Sequence, residues 1–376
     1  MQEAINKHLK DRIKLLSSKI EWCSLALNPN LIWDVVKDNP DKPWEWYGLS
    51  RNPNITWDIV KDNIDKPWHW YELSKNPNIT WDIVKDNPDQ PWNWNGLTRN
   101  PNVTWDIVKD NPDIRWNVES WEWFGLSMNP NITWGIVKDN LDKPWSWYEL
   151  SMNPNITWGI VKDNLDKPWN WCGLSINPSI ALEVSTVVKD NPDKTWDWFR
   201  LSMNPGITWD IVKDNIDKPW NWYGLSANPG ITWGIVKDNP DKPWNWYGLS
   251  ANPGITWGIV KDNPDKPWNW YGLSRNSGIT WGIIKDNPDK PWDWYELSIN
   301  PNLTFDILKD NMDKPWNWYL LSMNPNILMT TQERYEIVKR VLKARVIQRY
   351  WRTCVSDPSY LVCKRRLLHE YVNMNM

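Results

Sequence analysis

Apolar and polar positions along this chain follow one short pattern that starts over every 24 residues. In a representative stretch, NPNITWDIVKDNIDKPWHWYELS over residues 52–74, an apolar cluster of Ile55, Trp57, Ile59 and Val60 gives way to the polar run Lys61-Asp62-Asn63. A second cluster of Trp68, Trp70, Tyr71 and Leu73 follows the next proline. Lys-Asp-Asn returns with its lysine at 37, 61, 85, 109, 138, 162, 189, 213, 237, 261, 285 and 309, and nine of the eleven intervals are 24 residues. The interval of 29 holds an insertion around IRWNVESWEW (114–123), and the interval of 27 carries three extra residues in SIALEVSTVV (179–188).

The pattern predicts two short helices per unit. Asn54 and its equivalents Asn30, Asn78, Asn102, Asn131, Asn155, Ser179, Gly206, Gly230, Gly254, Gly278 and Asn302 are residue types favoured at a helix N-cap. The first helix then runs ITWDIVKD and closes at Asn63, a residue that tolerates the left-handed conformation. Asp65 before Pro67 signals the start of the second helix, PWHWYELS, which the following Asn-Pro ends. Ile55, Trp57 and Ile59 also alternate as a strand would, so a β-containing solenoid is the rival reading. The three-residue insertion, nearly one helical turn, favours helices. Helices of about two turns are not stable alone, so stability must come from stacking. The expected fold is an all-α solenoid of about twelve two-helix repeats, stacked roughly 8–10 Å apart into a rod or superhelix about 100 Å long, with helical caps at both ends. Residues 1–27 supply an N-terminal capping helix (Ile5, Leu9, Ile13 and Leu16 at helical spacing) and a half repeat in IEWCSLALNP. Residues 28–328 are the array, and residues 329–376 form a basic helical module.

Composition reinforces the repeat. The chain has 376 residues with 37 Trp and 30 Pro but only 3 Phe and 3 His, a bias that only a repeated unit explains. Cys23, Cys172, Cys354 and Cys363 form no CxxC pair and suggest neither disulfides nor zinc, which fits a reducing compartment. The N-terminal MQEAINKHLKDRIKLL is charged throughout, unlike a signal peptide, and no run of 18 apolar residues suits a membrane span. These features predict a soluble intracellular protein with no membrane partner.

Candidate chemistry is sparse. The three indoles per unit could form an exposed aromatic ladder, but they serve better as core filler in layers of only 24 residues. Trp68 is the one of the three with the stronger case for exposure. Lys61, Asp62, Asn63 and Asp65 recur in every unit and read as local capping. DNPDKP lacks the glycine and glutamate of a calcium loop. His8, His69 and His369 are scattered, and no phosphate loop or nucleophile motif occurs. Residues 227–250 and 251–274 are identical, and identical copies cannot be specialised parts of one active site. No catalytic residue, metal ligand, cofactor or small-molecule substrate is therefore expected.

Variation between units is where specificity could reside. The residue before Asn-Pro reads Arg51, Lys75, Arg99, Met128, Met152, Ile176, Met203, Ala227, Ala251, Arg275 and Ile299. The residue after the first-helix Trp switches between Asp (Asp58, Asp82) and Gly (Gly135, Gly234). The one after the second-helix Tyr is Gly48, Glu72, Gly96, Glu149 or Glu296. Specificity and neutral drift on a solvated face both explain such variation. In the C-terminal segment, ten basic residues face four acidic ones over 329–376, against a net charge of −3 for the whole chain. Arg345, Arg349, Arg352, Lys364, Arg365 and Arg366 are candidates there for contact with phosphate backbones or an acidic partner. VIQRYWR (346–352) matches the first half of a calmodulin-binding IQ motif, but Thr353 and Asp357 break the second half.

The unit NPNITWDIVKDNPDKPWNWYGLS resembles repeats of uncharacterised proteins of mimivirus-like giant DNA viruses, and VIQRYWRTCVSDPSYLVCKRRLLHEY is similar to a C-terminal segment on some of them. The resemblance implies a viral product in host cytoplasm or in the virion, and no activity. The expected function is a non-enzymatic scaffold for protein–protein interaction, with Arg51, Lys75, Arg99, Met128, Met152, Met203 and Arg275 as candidate contacts. A self-associating component of the virion or viral factory is the first alternative. Binding of nucleic acid or a calmodulin-like partner through the basic module is the second.

Overall fold

A computed structural model describes residues 2–111, 120–180, 183–330 and 332–333. Among these residues all regular structure is helical, in 26 short α-helices and one 3-10 turn, so the all-α solenoid is the fold and the strand reading of Ile55–Ile59 fails. The chain divides into two compact bodies. The larger comprises Met1–Leu303 and Asp313–Pro325, and the smaller Thr304–Met312 with the described part of Asn326–Met376. In the smaller body Phe305 N–H donates to the carbonyl of Met329 at 3.0 Å.

In the regular units both helices start later than the sequence suggests, as residues 52–75 show. The first is Trp57–Asp62 with Thr56 as its N-cap, and the second Trp70–Lys75 with His69 as its N-cap. Asn54 therefore caps nothing. Its N–H donates to the Asn52 side-chain oxygen (2.8 Å), while its own amide reaches the previous unit, donating to the carbonyls of Pro29 (2.9 Å) and Leu31 (3.0 Å). Asn63 ends the first helix at φ −134°, ψ 40°, not in the left-handed region. Its side chain donates back to Ile59 O (2.8 Å) and its own carbonyl accepts the Trp68 indole N–H (2.8 Å). That indole bond explains the second shift. Trp68 N–H donates to Lys66 O at 2.8 Å in a tight turn centred on Pro67, and His69 follows in extended conformation at φ −88°, ψ 96°, so Trp68 is buried, Trp70 half-buried and His69 exposed.

Successive units meet chiefly through their second helices, which pack helix to helix along the row. Gly96 marks the closeness, since a Cβ there would lie 2.6 Å from Tyr71 O and 2.8 Å from Ser74 Cβ. A buried asparagine ladder joins the layers. Asn76 donates to Ser50 O (3.1 Å) and Asn52 O (3.0 Å), and Ser50 Oγ accepts the His69 N–H (2.8 Å). Indoles interleave beside it. Trp268 packs against Trp233 (5.4 Å) and edge-on to Trp246 (5.2 Å) of the unit before. The expected order of burial is reversed: Trp68 is buried, whereas Trp57 and Trp70 are half-buried. The residue that fills the space between layers is the one whose N–H finds a carbonyl there, which is what a buried indole requires.

The second helices number thirteen, from Trp22–Leu25 to Trp318–Met323, and the first and last of them pack together. Glu21 N–H donates to Ser322 Oγ (2.9 Å), Asn28 to Ser322 O and Asn324 O (both 3.0 Å), and Asn30 to Pro325 O (2.9 Å). These are the kinds of bond that join interior layers, as in Asn76 to Ser50 O and Asn78 to Pro53 O, so the solenoid closes on itself within the larger body. The half repeat expected to cap an open rod is instead the thirteenth layer of a closed ring. Its preceding helix, Gln2–Leu16, does cover the array. Leu9, Ile13 and Leu16 are buried, and Lys10 pairs with Asp38 (2.8 Å) and Asp34 (3.7 Å).

Candidate functional site

The register of the second helices carries one residue of each unit to the same place on a shared surface. Arg51, Lys75, Arg99, Met128, Met152, Met203 and Arg275 all occupy this register, with Arg51, Arg275, Met128 and Met203 exposed and the others half-buried. One helical turn earlier stand Tyr47, Tyr71, Phe124, Tyr148, Phe199, Tyr223, Tyr247, Tyr271, Tyr295 and Tyr319, a row that was not singled out from the sequence because the indoles drew attention away from it. The exposed aromatic ladder exists, but in tyrosine. Tyr223 and Tyr247 stack at 5.6 Å and 13°, and Tyr295 and Tyr319 are about half exposed. Of the fourteen exposed large apolar side chains among the described residues, nine belong to this second-helix face: Leu27, Tyr47, Met128, Phe199, Met203, Tyr223, Tyr271, Tyr295 and Tyr319. With units numbered by their second helices from Trp22–Leu25, an open recess of about 580 Å³ lies on it between units seven and eight, lined by Ile176, Pro178, Phe199, Arg200, Met203 and Pro205.

The first helices present the opposite chemistry. Asp82 and Lys85 pair at 3.0 Å and Asp210 and Lys213 at 2.8 Å, all exposed, and each lysine is held above its ordinary pKa by the hydrogen bond to its aspartate. Where Gly replaces the aspartate, as at Gly135 and Gly234, an added side chain would find little beyond a threonine hydroxyl. The Asp/Gly alternation is therefore confined to the solvated surface.

The Gly/Glu alternation is not, and the sequence expectation of a variable surface position fails there. Glu72, Glu149 and Glu296 are 2 %, 1 % and 1 % exposed, at the closest approach of neighbouring second helices. Lys75 meets Glu72 at 3.2 Å. Arg275 lies 3.9 Å from Glu296, whose carboxylate also accepts a bond from the Tyr271 hydroxyl and pushes that phenol up to about 12. Lys75 and Arg275 of the shared surface are thus met by the chain's own carboxylates, as Arg200 is by Asp197 (3.1 Å).

Among the described residues no group of three His, Cys, Asp or Glu is placed to hold a metal ion, and no helix is long and apolar enough to cross a membrane. Arg345, Arg349, Arg352, Lys364, Arg365 and Arg366 lie outside the described residues. Comparison with protein-family models, with curated proteins and with solved structures finds no match for the chain.

Proposed function

We propose that the chain is a non-enzymatic scaffold that docks other proteins on its second-helix face. The observation that supports this reading is the gathering of exposed aromatic and methionine side chains on that face, opposite in character to the ion-paired first helices. Large aromatic side chains supply binding energy at low entropic cost. Because Lys75, Arg200 and Arg275 are engaged by carboxylates of the same chain, the positive charge of the face is reduced to scattered residues such as Arg51, less than the run of phosphate contacts a polyanion needs. A polypeptide is the occupant that fits. Ring closure covers both terminal layers, so the self-associating alternative would have to use side-by-side contact of the array and not end-to-end growth. The viral resemblance extends the proposal to a product acting in the cytoplasm of an infected host.

The test is quantitative capture from infected and uninfected amoebal lysate with three full-length variants. Tyr295→Asp combined with Tyr319→Asp breaks the face, and Lys85→Ala is a first-helix control. Arg345→Glu, Arg349→Glu and Arg352→Glu together disable the basic segment. The scaffold reading expects loss of protein partners in the first variant alone. Loss confined to the third would transfer binding to the basic segment and revive the nucleic-acid or calmodulin-like alternative.

A further inference from the structure

The pentapeptide Trp-Tyr-Glu-Leu-Ser occurs at 70–74, 147–151 and 294–298, and its glutamate is buried each time. What differs is the company. In unit three, Lys75 on the same helix reaches Glu72 with Nζ 3.3 Å from Oε1 and 3.2 Å from Oε2. In unit twelve, Arg275 on the preceding helix approaches Glu296 Oε2 at 3.9 Å, an ion pair without a hydrogen bond, so that this oxygen too accepts none and differs from that of Glu149 in having a cation beside it. In unit six those two cation positions are Met152 and Met128. Glu149 is 1 % exposed and its Oε2 has no hydrogen-bond partner. The helices on either side offer Phe124, Gly125 and Met128 before it and Cys172 and Gly173 after it, none of them cationic. Among the described residues the one cation that acts on it is Arg99, two units back, which sits over the Phe124 ring at 5.1 Å, pulls only through space and leaves its own Nε unbonded. That pull does not overcome desolvation, and burial holds the carboxyl above its ordinary value.

An uncompensated buried carboxylate is costly, and twice in this protein the same site is completed by a cation. We propose that Glu149 is the receptor for a lysine or arginine side chain of a protein partner, which enters between Met128 and Met152. Met128 is 40 % exposed, and unbranched thioether side chains are the ones best able to move aside for an entering alkyl stem. Such a stem ends in a charge that pairs with the carboxylate while its methylenes lie against the two methionines. The site deepens the scaffold reading and rests on it for the identity of its occupant.

The experiment uses the full chain labelled with carbon-13 at the methionine methyls, with butylguanidinium and butylammonium as probes and butanol as the uncharged control. The expected result is a saturable shift of the Met128 and Met152 methyl resonances with both cations and none with butanol. Glu149→Gln, which keeps the shape and removes the charge, should lose the response. Met152→Lys, which gives Glu149 the partner that Lys75 gives Glu72, should also lose it while raising thermal stability. A response retained in Glu149→Gln, or shifts that never saturate in the parent chain, would overturn the proposal. Because the probes are small ions, the outcome is independent of lysate capture. A saturating cation site in a chain whose face variant captures as well as the parent would keep Glu149 and sink the scaffold reading.

Discussion

Layers that carry an outer asparagine are clasped twice to the layer before them, and the four successive layers that carry glycine there, Gly206 to Gly278, only once; Asn302 restores the second clasp on Ser277 O (2.6 Å) and Ile279 O (3.3 Å). Asn78 donates to Pro53 O (2.7 Å) and Ile55 O (3.0 Å), and Asn155 repeats this with Pro130 (2.6 Å) and Ile132 (3.1 Å), beside the buried ladder formed by Asn76 and Asn153. At Gly206, Gly230, Gly254 and Gly278 the outer clasp is absent, and the ladder of Asn228, Asn252 and Asn276 works alone. The two kinds of layer nevertheless share one backbone, since Gly254 N–H still donates to Asn252 Oδ1 at 2.8 Å as Asn54 N–H does to Asn52 at 2.8 Å. The loop is set by the inner asparagine, and the outer one adds stability to a geometry already determined.

This contrast can be broken most severely at the ladder. Asn252→Ala removes bonds to Ser226 O (2.9 Å), Asn228 O (2.8 Å) and Ile231 O (3.1 Å) in a layer with no second clasp. It should cost about 3 kcal/mol by urea unfolding, because buried carbonyls are left unpaired. Asn100→Ala, whose layer keeps Asn102 on Pro77 O (2.6 Å) and Ile79 O (3.2 Å), should cost less. Equal losses at the two sites would show that the outer clasp is energetically idle.

A reciprocal exchange sharpens the comparison at smaller scale. Asn78→Gly should lose about 1 kcal/mol, and Gly254→Asn should gain a similar amount. The new Cβ would meet Asn252 Oδ1 at 3.2 Å, the arrangement that Asn54 already tolerates above Asn52. Hydrogen exchange of the amides in the neighbouring layers would show whether the change stays local.

The pH dependence of unit six comes next. Burial raises the Glu149 pKa above its ordinary value of 4.5, so the folded chain binds this proton more tightly than the unfolded one. The native state is therefore favoured below that window and loses stability as pH rises from about 4.5 through the folded pKa. Glu149→Gln should flatten this slope in melts taken across that range. An unchanged slope would place the carboxylate in contact with water or a cation. The smallest effect belongs to the first-helix surface. Asp82→Gly, which copies the natural Gly135, should leave the urea unfolding midpoint almost unmoved, because the lost pair with Lys85 is solvent-screened.

Much of the candidate face was visible in the sequence, although its context was not. Arg51, Met128, Met203 and Arg275 vary from unit to unit and do lie exposed on one surface. Gly48, Glu72 and Glu149 vary too, yet they are buried, and variability alone could not separate the two cases. The signal that separates them is pairing. A glutamate in the Gly position accompanies a cation at the neighbouring Arg51-type position in units three and twelve, and unit six breaks that rule. The Tyr row was legible as a repeated residue, but its exposure was not, because an aromatic side chain is as often filler as surface.

The sequence by itself determined the layer. Its 24-residue period, its two short helical stretches and the Asn-Pro that ends the second of them all follow from local residue preferences. The tertiary structure decided what passes between layers. Trp68 lies deeper than Trp57 because its indole N–H reaches Asn63 O while its ring fits between units, and Asn54 clasps a neighbour instead of capping its own helix. Closure is the extreme case. The half repeat at Glu21–Asn30 carries the same side chains whether its outer surface is bare or docked on Ser322 and Asn324. A ring closes only when the small rotation per layer accumulates to a full turn, and that sum is a property of thirteen interfaces together, written in no single one of them.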